Sequence, residues 1–179
     1  MVTDFDVIIV GTEAFTDHVM EFALNLKMIS RAGIGLDNVD LLAAKQRGIK
    51  VSYTPDAPSS AVAELTIGMM LTLLRFVHLS NMQKHDGKWH RYFGRRLSEC
   101  TVGIIGTGRI GKRVVSHLIG FNPKRILVND LHTDHQLDDR ISVEWTDKDH
   151  IYREADVISL HLPLTAHTKN MICHDQLKA

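Results

Sequence analysis

The chain has 179 residues, of which 44% are hydrophobic, and its 21 Lys and Arg balance its 21 Asp and Glu to a formal charge of zero. This length allows one large or two small domains with a packed core, and the neutral balance predicts neither a nucleic-acid partner nor a membrane partner. Cys100 and Cys173 form no disulfide framework, no stretch has the length of a signal peptide or a membrane span, and we therefore expect a cytoplasmic protein.

The first third of the chain predicts alternating strands and helices. A helix is expected over 16–24, where Thr16 or Asp17 can serve as N-cap, and a second helix is expected from an N-cap at Asp40 through Gln46. Apolar runs on either side of these helices predict three buried strands, at 6–10, 27–30 and 49–53. This β-α-β-α-β order with short connections is typical of a parallel α/β sheet.

Residues 54–58, Thr-Pro-Asp-Ala-Pro, break this pattern and predict a domain boundary, with one domain over 1–57 and another over 58–179. A long, strongly apolar helix is expected next, over 59–82, joining the two lobes. Either part of this helix packs on a partner subunit, or the whole helix packs only on the core of its own chain. Periodicity alone does not separate these two possibilities. The following polar, aromatic and basic stretch, 84–96, is a combination that nucleic-acid binders use, but one short patch in a neutral chain is interpreted as a connector.

The strongest motif lies at Gly106, Gly108 and Gly111, which have G-x-G-x-x-G spacing between a predicted strand at 101–105 and a predicted helix at 109–119. The first glycine allows a tight turn, the second lets a pyrophosphate approach the backbone, and the third allows close packing of helix on strand. The orphan N–H groups and the dipole at the helix start favour bound phosphate. Gly120 and Pro123 are stop signals for the helix.

An acid stands where a dinucleotide site needs one. The predicted strand 125–129 leads into Asp130, about 20 residues beyond the glycines, where a carboxylate suits both hydroxyls of an adenosine ribose. The same charge repels a 2′-phosphate, which favours NAD over NADP. The alternative is a glycine-rich turn that binds nothing.

The remaining chain predicts a short strand at 140–144, a short helix at 147–153, a clear strand at 155–160 and a loop or helix from Thr168. His132 and His135, with Asp134, suggest a metal site, but the spacing places no further ligand, so we interpret these residues as a solvated surface and expect no metal.

Four blocks, in order, resemble one enzyme family: residues 30–40, Ser-Arg-Ala-Gly-Ile-Gly-Leu-Asp-Asn-Val-Asp; residues 63–66, Ala-Glu-Leu-Thr; the glycine turn 106–111; and residues 159–165, Ser-Leu-His-Leu-Pro-Leu-Thr, with Thr168. They resemble the D-isomer-specific 2-hydroxyacid dehydrogenases, the phosphoglycerate dehydrogenase branch above all, over nearly the whole chain. The resemblance implies an α/β fold with parallel sheets of the doubly wound Rossmann type. Residues 1–57 would be part of a flavodoxin-like substrate domain and 58–179 part of an NAD-binding domain.

The resemblance also implies roles for single residues. Substrate binding would fall to the loop after the second strand, and NAD binding to the glycine turn, the acid after it and the segment after the last strand. His161 would not be the acid/base. The implied substrate-binding residues are Arg31, Gly33, Ile34 and Gly35, and the implied cofactor-binding residues are Gly106, Gly108, Arg109, Ile110, Gly111, Asp130, Leu162, Pro163 and Thr168.

Catalytic residues cannot be carried over. The family uses an arginine to hold the 2-oxo acid and a histidine–glutamate pair as acid/base, and these belong to blocks that no part of the 179 residues matches. Gly11 and Thr12 also stand where the phosphoglycerate branch has an arginine. We therefore expect two incomplete lobes, a chain truncated at both ends, no dehydrogenase activity of this chain alone, and a homodimer. The alternative is a non-catalytic NAD-binding or dimerising module with a regulatory role.

Overall fold

The structure, a computed structural model, describes residues 4–134 and 142–178 and divides into two units, Met1–Pro58 and Ser59–Ala179. In the first unit, three short strands form a parallel sheet in the order β1-β2-β3. These strands are β1 (Val7–Val10), β2 (Met28–Arg31) and β3 (Lys50–Tyr53). The central strand carries the fully buried Ile29, as expected of a strand covered on both sides.

Of the two helices predicted in the first unit, one is shorter than expected and the other has the expected length. The expected helix over 16–24 was wrong in its extent, since α1 spans only Asp17–Glu21. The chain then turns so that Ala23 and Leu26 are buried in the same core as Met20. The second helix, α2 (Leu41–Gln46), is confirmed with its N-cap, because the Asp40 side chain accepts a hydrogen bond from the Ala43 amide at 3.0 Å.

The second unit has a four-stranded parallel sheet in the order β6-β5-β4-β7. Helices α3 (Ser59–Leu74) and α5 (Arg109–Leu118) share one apolar core with this sheet, and Ile151 of α6 (Lys148–Glu154) is buried in a second core with Ile105 and Leu127. The strands are β4 (Thr101–Ile105), β5 (Arg125–Asn129), β6 (Glu144–Trp145) and β7 (Val157–Leu160). Two cores around one parallel sheet confirm the doubly wound α/β fold.

The prediction of one long helix over 59–82 was wrong. The helix α3 ends at Leu74, and α4 (Val77–His85) starts after a bend of 67°. Phe76 lies between them in the left-handed region, with φ of 53°. The Leu74 carbonyl accepts a hydrogen bond from the Arg95 amide at 3.0 Å, and the segment around Gly94 packs directly against it. A distant part of the chain therefore takes the carbonyl that a continuing helix would have used.

Smaller differences occur at element ends. A 3₁₀ turn at Ile119–Phe121 extends α5 past Gly120, and the left-handed reversal is made by Asn122, with φ of 47°. The strand predicted at 140–144 is displaced, since β6 shares only Glu144 with it, and residues 135–141 lie outside the described part of the chain. The helix predicted at 147–153 is confirmed as α6, whose N-cap Asp147 accepts from the His150 amide at 2.7 Å.

Among the residues that the structure describes, no single helix is both long enough and apolar enough to cross a bilayer. The pair α3 and α4 meets the length and composition criteria only when taken together, across its 67° bend.

Candidate nucleotide site and candidate substrate loop

The strand order of the second unit reverses at β4. The next strand along the chain, β5, pairs on one side of β4, whereas β7 pairs on the other. Ile105 at the end of β4 is in register with Asn129 of β5 and Leu160 of β7, so the residues that follow these three strands meet at one edge. In open α/β sheets, ligands bind at this kind of switch point, outside the carboxyl ends of the strands.

At two of the three motif glycines, a side chain would collide with the protein's own backbone. Gly106 has φ of 96°, and a Cβ there would collide with the carbonyl oxygen of His161. A Cβ on Gly111 would collide with the carbonyl oxygen of Gly106, which is the close helix–strand approach that the motif predicts. The turn and the start of α5 are therefore held together without side chains between them.

Gly108 is different, because a Cβ at this position would meet no protein atom within 4 Å. It is the N-cap residue of α5, and as a glycine it has no side chain of its own to cap this helix start. Open space in front of a helix N-terminus is what a pyrophosphate needs. The turn fits a dinucleotide on this ground, since none of the side chains that the structure describes fills the space beside Gly108.

The two residues after Gly108 point in different directions. Arg109 is exposed at the first position of α5, and its carbonyl accepts a hydrogen bond from the Arg113 side chain at 3.0 Å. Ile110 is half-buried and packs against the core shared by α3 and α5. The Ile110 side chain is thus part of the core, and only its backbone belongs to the turn.

Asp130 lies beside the turn, as its position after β5 requires. Its Oδ2 accepts from the Thr107 amide at 2.6 Å and from the Thr107 hydroxyl at 3.1 Å, and its Oδ1 accepts from the His132 amide at 3.4 Å. Burial acts to raise the pKa of Asp130, but the hydrogen bonds from Thr107, His132 and Leu131 outweigh it and hold the pKa below its usual value. The carboxylate is therefore charged at neutral pH.

On the other side of the turn, the segment after β7 is ordered by its own hydrogen bonds. The His161 amide donates to the Ile105 carbonyl at 2.8 Å, and Nε2 of its ring lies 3.0 Å from the Ser159 hydroxyl. Burial lowers the pKa of His161, so its ring is neutral at neutral pH. Leu162 packs into the small core with Ile105 and lies close to Gly106.

Thr168 shapes the loop that follows. Its hydroxyl donates to the Pro163 carbonyl at 2.6 Å and accepts from the Thr165 amide at 2.8 Å. Pro163 is exposed and Thr168 is half-buried. The structure thus gives Thr168 a part in folding the loop in which Pro163 and Leu162 lie.

In the first unit, Arg31 is the last residue of β2, and the other three residues predicted to bind substrate, Gly33, Ile34 and Gly35, lie in the loop that follows. Arg31 folds back, donating from Nε to Asn38 Oδ1 at 3.2 Å and from its guanidinium to the Ala32 carbonyl. Gly33 has φ of 151°, and a Cβ there would collide with the Arg31 guanidinium. Gly35 is exposed and Ile34 half-buried, so the loop offers mainly backbone at its surface.

Sequence reasoning missed two polar residues that organise these edges. Asn38 donates to the carbonyls of Gly11 at 3.1 Å and Glu13 at 2.7 Å while accepting from Arg31, so it joins the loops after β1 and β2. Thr107 joins the glycine turn to Asp130. Thr107 and Asp130 follow neighbouring strands, and so do Asn38 and the two carbonyls to which it donates. Their position after neighbouring strands is the signal that could have indicated these contacts.

The suggested metal ligands are only partly described, since His135 lies outside the described residues. Asp134 forms an ion pair with Lys112 of α5. Within 4–134 and 142–178, no group of three or more His, Cys, Asp or Glu side chains is arranged to hold a metal ion.

Comparison with known proteins identifies the family. Residues 67–179 match the sequence model of the D-isomer specific 2-hydroxyacid dehydrogenase NAD binding domain. The hydroxypyruvate reductase of Thermotoga maritima is 37% identical over 99% of this chain, and a D-3-phosphoglycerate dehydrogenase of Methanocaldococcus jannaschii is 39% identical over 98%. The chain spans 58% and 34% of the lengths of these two relatives.

A solved structure agrees with these relatives. The D-lactate dehydrogenase of Aquifex aeolicus, in complex with NAD and lactic acid, superposes with a TM-score of 0.86 at 31% identity, over 99% of this chain and 54% of that one. NAD is also bound in a similar 3-phosphoglycerate dehydrogenase of Entamoeba histolytica, with a TM-score of 0.81 at 34% identity over 99% of this chain and 53% of that one. The chain belongs to the D-isomer-specific 2-hydroxyacid dehydrogenase family, and its second unit carries that family's NAD-binding domain.

Proposed function

We propose that this chain is the nucleotide-binding part, with a piece of the substrate domain, of an NAD-dependent oxidoreductase that acts on D-2-hydroxy acids. The observation that carries the proposal is the open space at Gly108, the glycine N-cap of α5, beside a charged Asp130 and at the switch point of a doubly wound sheet. When bound, NAD would supply the hydride acceptor of the reaction.

The proposed roles of the second unit follow from this geometry. The amides at the start of α5, at Arg109 and Ile110, hold the pyrophosphate, and Asp130 accepts from the adenosine ribose hydroxyls. Leu162 and Pro163 line the adenosine side in the loop that Thr168 folds. His161 stays neutral beside Ser159 and is not proposed as the acid/base.

The proposed role of the first unit is to hold the substrate carboxylate. Gly33 makes the turn of this loop, with its own amide donating to the Arg31 carbonyl at 3.1 Å, and the backbone amides of Ile34 and Gly35 can approach an anion that side chains would keep away. Arg31, anchored to Asn38, keeps that loop in shape and adds positive charge near it. Relatives named for hydroxypyruvate, glyoxylate and phosphoglycerate support a small 2-oxo or 2-hydroxy acid as the substrate class.

Nucleotide binding is the experiment that tests the proposal. Emission from Trp89 and Trp145 is followed while NAD and NADP are titrated separately, and we expect weak NAD binding with NADP weaker still. Gly108→Ala should weaken NAD binding without lowering the melting temperature, because its Cβ would enter only the space reserved for the ligand. The matched control is Gly120→Ala, whose Cβ also meets nothing within 4 Å but lies beyond the other end of α5.

Three results would reject this assignment: tighter binding of NADP than of NAD, unchanged affinity in Gly108→Ala, or an equal loss of affinity in Gly120→Ala. Each would mean that the ligand does not rest on the turn in the way proposed.

We further propose that the 179 residues alone do not turn over substrate, because they match none of the blocks that supply the family's substrate arginine and acid/base pair. The purified chain is incubated with NAD and D-3-phosphoglycerate, D-glycerate or D-lactate, and NADH formation is followed by absorbance. No NADH is expected above a protein-free control, and sustained formation would contradict the proposal.

A non-catalytic NAD-binding or dimerising module is the second candidate, favoured by the exposed apolar side chains of α3. The reading frame after residue 179 distinguishes the two. An arginine block followed by a glutamate and a histidine supports the enzyme, and a stop codon supports the module. A cytoplasmic location is proposed for either.

A further inference from the structure

We infer that Thr107 is a positioning residue that orients the Asp130 carboxylate and thereby sets the preference for NAD over NADP. The inference rests on the proposed function, namely that the second unit binds NAD with Asp130 on the adenosine ribose. It concerns a residue inside the glycine turn whose side chain the motif itself leaves unspecified.

The geometry is that of a two-point clamp. Thr107 is buried, with 3% of its surface exposed, and both its amide and its hydroxyl donate to the same oxygen, Asp130 Oδ2, at 2.6 and 3.1 Å. Two donors from one residue allow the carboxylate little rotation. Hydrogen bonds to an ionised acceptor are also about twice as strong as neutral ones, which makes this pair a firm constraint.

The clamp leaves the other oxygen available. Asp130 Oδ1 accepts from the His132 amide at 3.4 Å, a long bond, and a carboxylate oxygen has two lone-pair sites. Oδ1 is thus the less firmly held of the two oxygens, and a ribose hydroxyl can compete for it while Oδ2 is held by the turn. The clamp also favours the charged carboxylate that a 2′-phosphate would meet, so the geometry that suits NAD disfavours NADP.

The helix that follows the turn carries charged groups, the first of them Arg109, two positions after Thr107. The Lys112 ammonium of α5 is paired with Asp134, on the loop that follows Asp130. His132 contributes its amide to Asp130. The Thr107 hydroxyl thus remains the side-chain donor through which a single substitution can change the orientation of Asp130 without changing any charge.

The test compares dissociation constants for NAD and NADP in the wild-type chain, Thr107→Val and Thr107→Ser. Thr107→Val keeps the size and the amide but removes the hydroxyl, and we expect it to reduce the ratio of NAD to NADP affinity about three- to tenfold. Thr107→Ser keeps the hydroxyl and should keep the ratio. In an Asp130→Ala background, Thr107→Val should cause no further change in the ratio.

A second measurement needs no cofactor. The pKa of the Asp130 carboxyl, followed by carbon NMR in the free chain, should rise in Thr107→Val and stay at its wild-type position in Thr107→Ser. Thr107→Ala, which is smaller, replaces the valine variant if that variant does not fold.

The outcomes separate this inference from the proposed function. If the wild-type chain binds neither coenzyme, the proposed function is wrong and the inference is lost with it. If the wild-type chain prefers NAD but Thr107→Val leaves the ratio and the Asp130 pKa unchanged, the inference alone is overturned. An equal weakening of both coenzymes with an unchanged pKa assigns Thr107 a structural role and also overturns it.

Discussion

Within each of the two sheets, a single polar side chain links the loops that lie at the carboxyl ends of the strands. Asn38 joins the loops after β1 and β2 through one accepted and two donated hydrogen bonds, and Asp130 joins the end of β5 to the glycine turn. These side-chain links add to backbone hydrogen bonds at the same edges, such as those from the Phe15 amide to the Asn38 carbonyl at 2.7 Å and from the Gly106 amide to the Asn129 carbonyl at 2.8 Å. In both units, the predicted binding residues lie within or next to these links.

The opposite, amino-terminal edge of the second sheet has a similar link at Asp156. Its Oδ1 accepts from the Arg95 guanidinium at 2.7 Å and its Oδ2 accepts from the Thr101 amide at 2.8 Å. The hydrogen bond from Arg95, followed by that from Thr101, outweighs burial and holds the pKa of Asp156 below its usual value. Asp156 thus fastens the segment that enters β4 to the start of β7.

This link predicts a pH dependence of stability. Since the folded pKa of Asp156 is depressed, its contribution is complete above the unfolded pKa of about 3.9 and is lost as the pH falls through the lower, folded value. The wild-type free energy of unfolding, measured with urea, should therefore fall as the pH drops below about 4, and Asp156→Asn should show less of this fall. Asp149→Asn, an exposed carboxylate on α6, is the control. An identical acid slope in wild type and Asp156→Asn would contradict the prediction.

At the scale of elements, the break between α3 and α4 shows that local pattern does not decide where a helix ends. The stretch 59–82 is apolar at helical spacing throughout, and Phe76 is not a helix-breaking residue. The chain nevertheless bends there, with Phe76 left-handed and its ring stacked on Tyr92 at a centroid distance of 5.5 Å. Packing against residues near Tyr92 and Arg95 compensates for the backbone cost.

Two substitutions at Phe76 separate the stacking from the backbone strain. Both Phe76→Ala and Phe76→Gly lose the stack on Tyr92, but only glycine adopts φ of 53° without a steric cost. We expect Phe76→Gly to be more stable than Phe76→Ala by roughly 1 kcal/mol in urea unfolding. Tyr92→Ala, which removes the same stack without touching the left-handed residue, measures the stacking alone. Equal stability of the glycine and alanine variants would show that the bend does not strain residue 76.

At the scale of the whole molecule, α3 buries one side and exposes another. Ala63, Ile67 and Met70 are buried in the core shared with α5, whereas Leu65 and Met69 are 65% and 53% exposed. The same apolar side lines a cavity of about 280 Å³ against β7. Apolar exposure of this kind is typical of interaction surfaces, and on this basis we propose a homodimer through α3.

The dimer proposal is tested with a pair of matched substitutions. Leu65→Glu places a charge on the exposed side of α3 and should shift the chain to a monomer in light scattering with size-exclusion chromatography, because a buried unpaired charge is costly. Leu42→Glu, at an equally exposed leucine of α2 with 67% exposure, should leave the wild-type mass unchanged. A wild-type chain that elutes as a stable monomer, or equal effects of both substitutions, would contradict a dimer through α3.

The sequence by itself was enough to predict the features that depend on residues close to one another in the chain. The alternation of apolar runs and caps predicted the parallel sheet of the first unit, and the family resemblance implied that of the second. The G-x-G-x-x-G spacing predicted the turn that the structure places at the switch point. These are local properties, since strand and helix periodicity and the steric demand of a glycine are expressed within a few residues.

The tertiary structure decided what depends on residues that are distant in the chain. Thr107 and Asp130 are 23 positions apart, and Asn38 and Gly11 are 27 apart. The end of α3 at Leu74 is likewise set by the amide of Arg95. No periodicity or motif determines which distant donor reaches a given acceptor, because that choice is made only when the sheets are assembled and each buried polar group must find a partner.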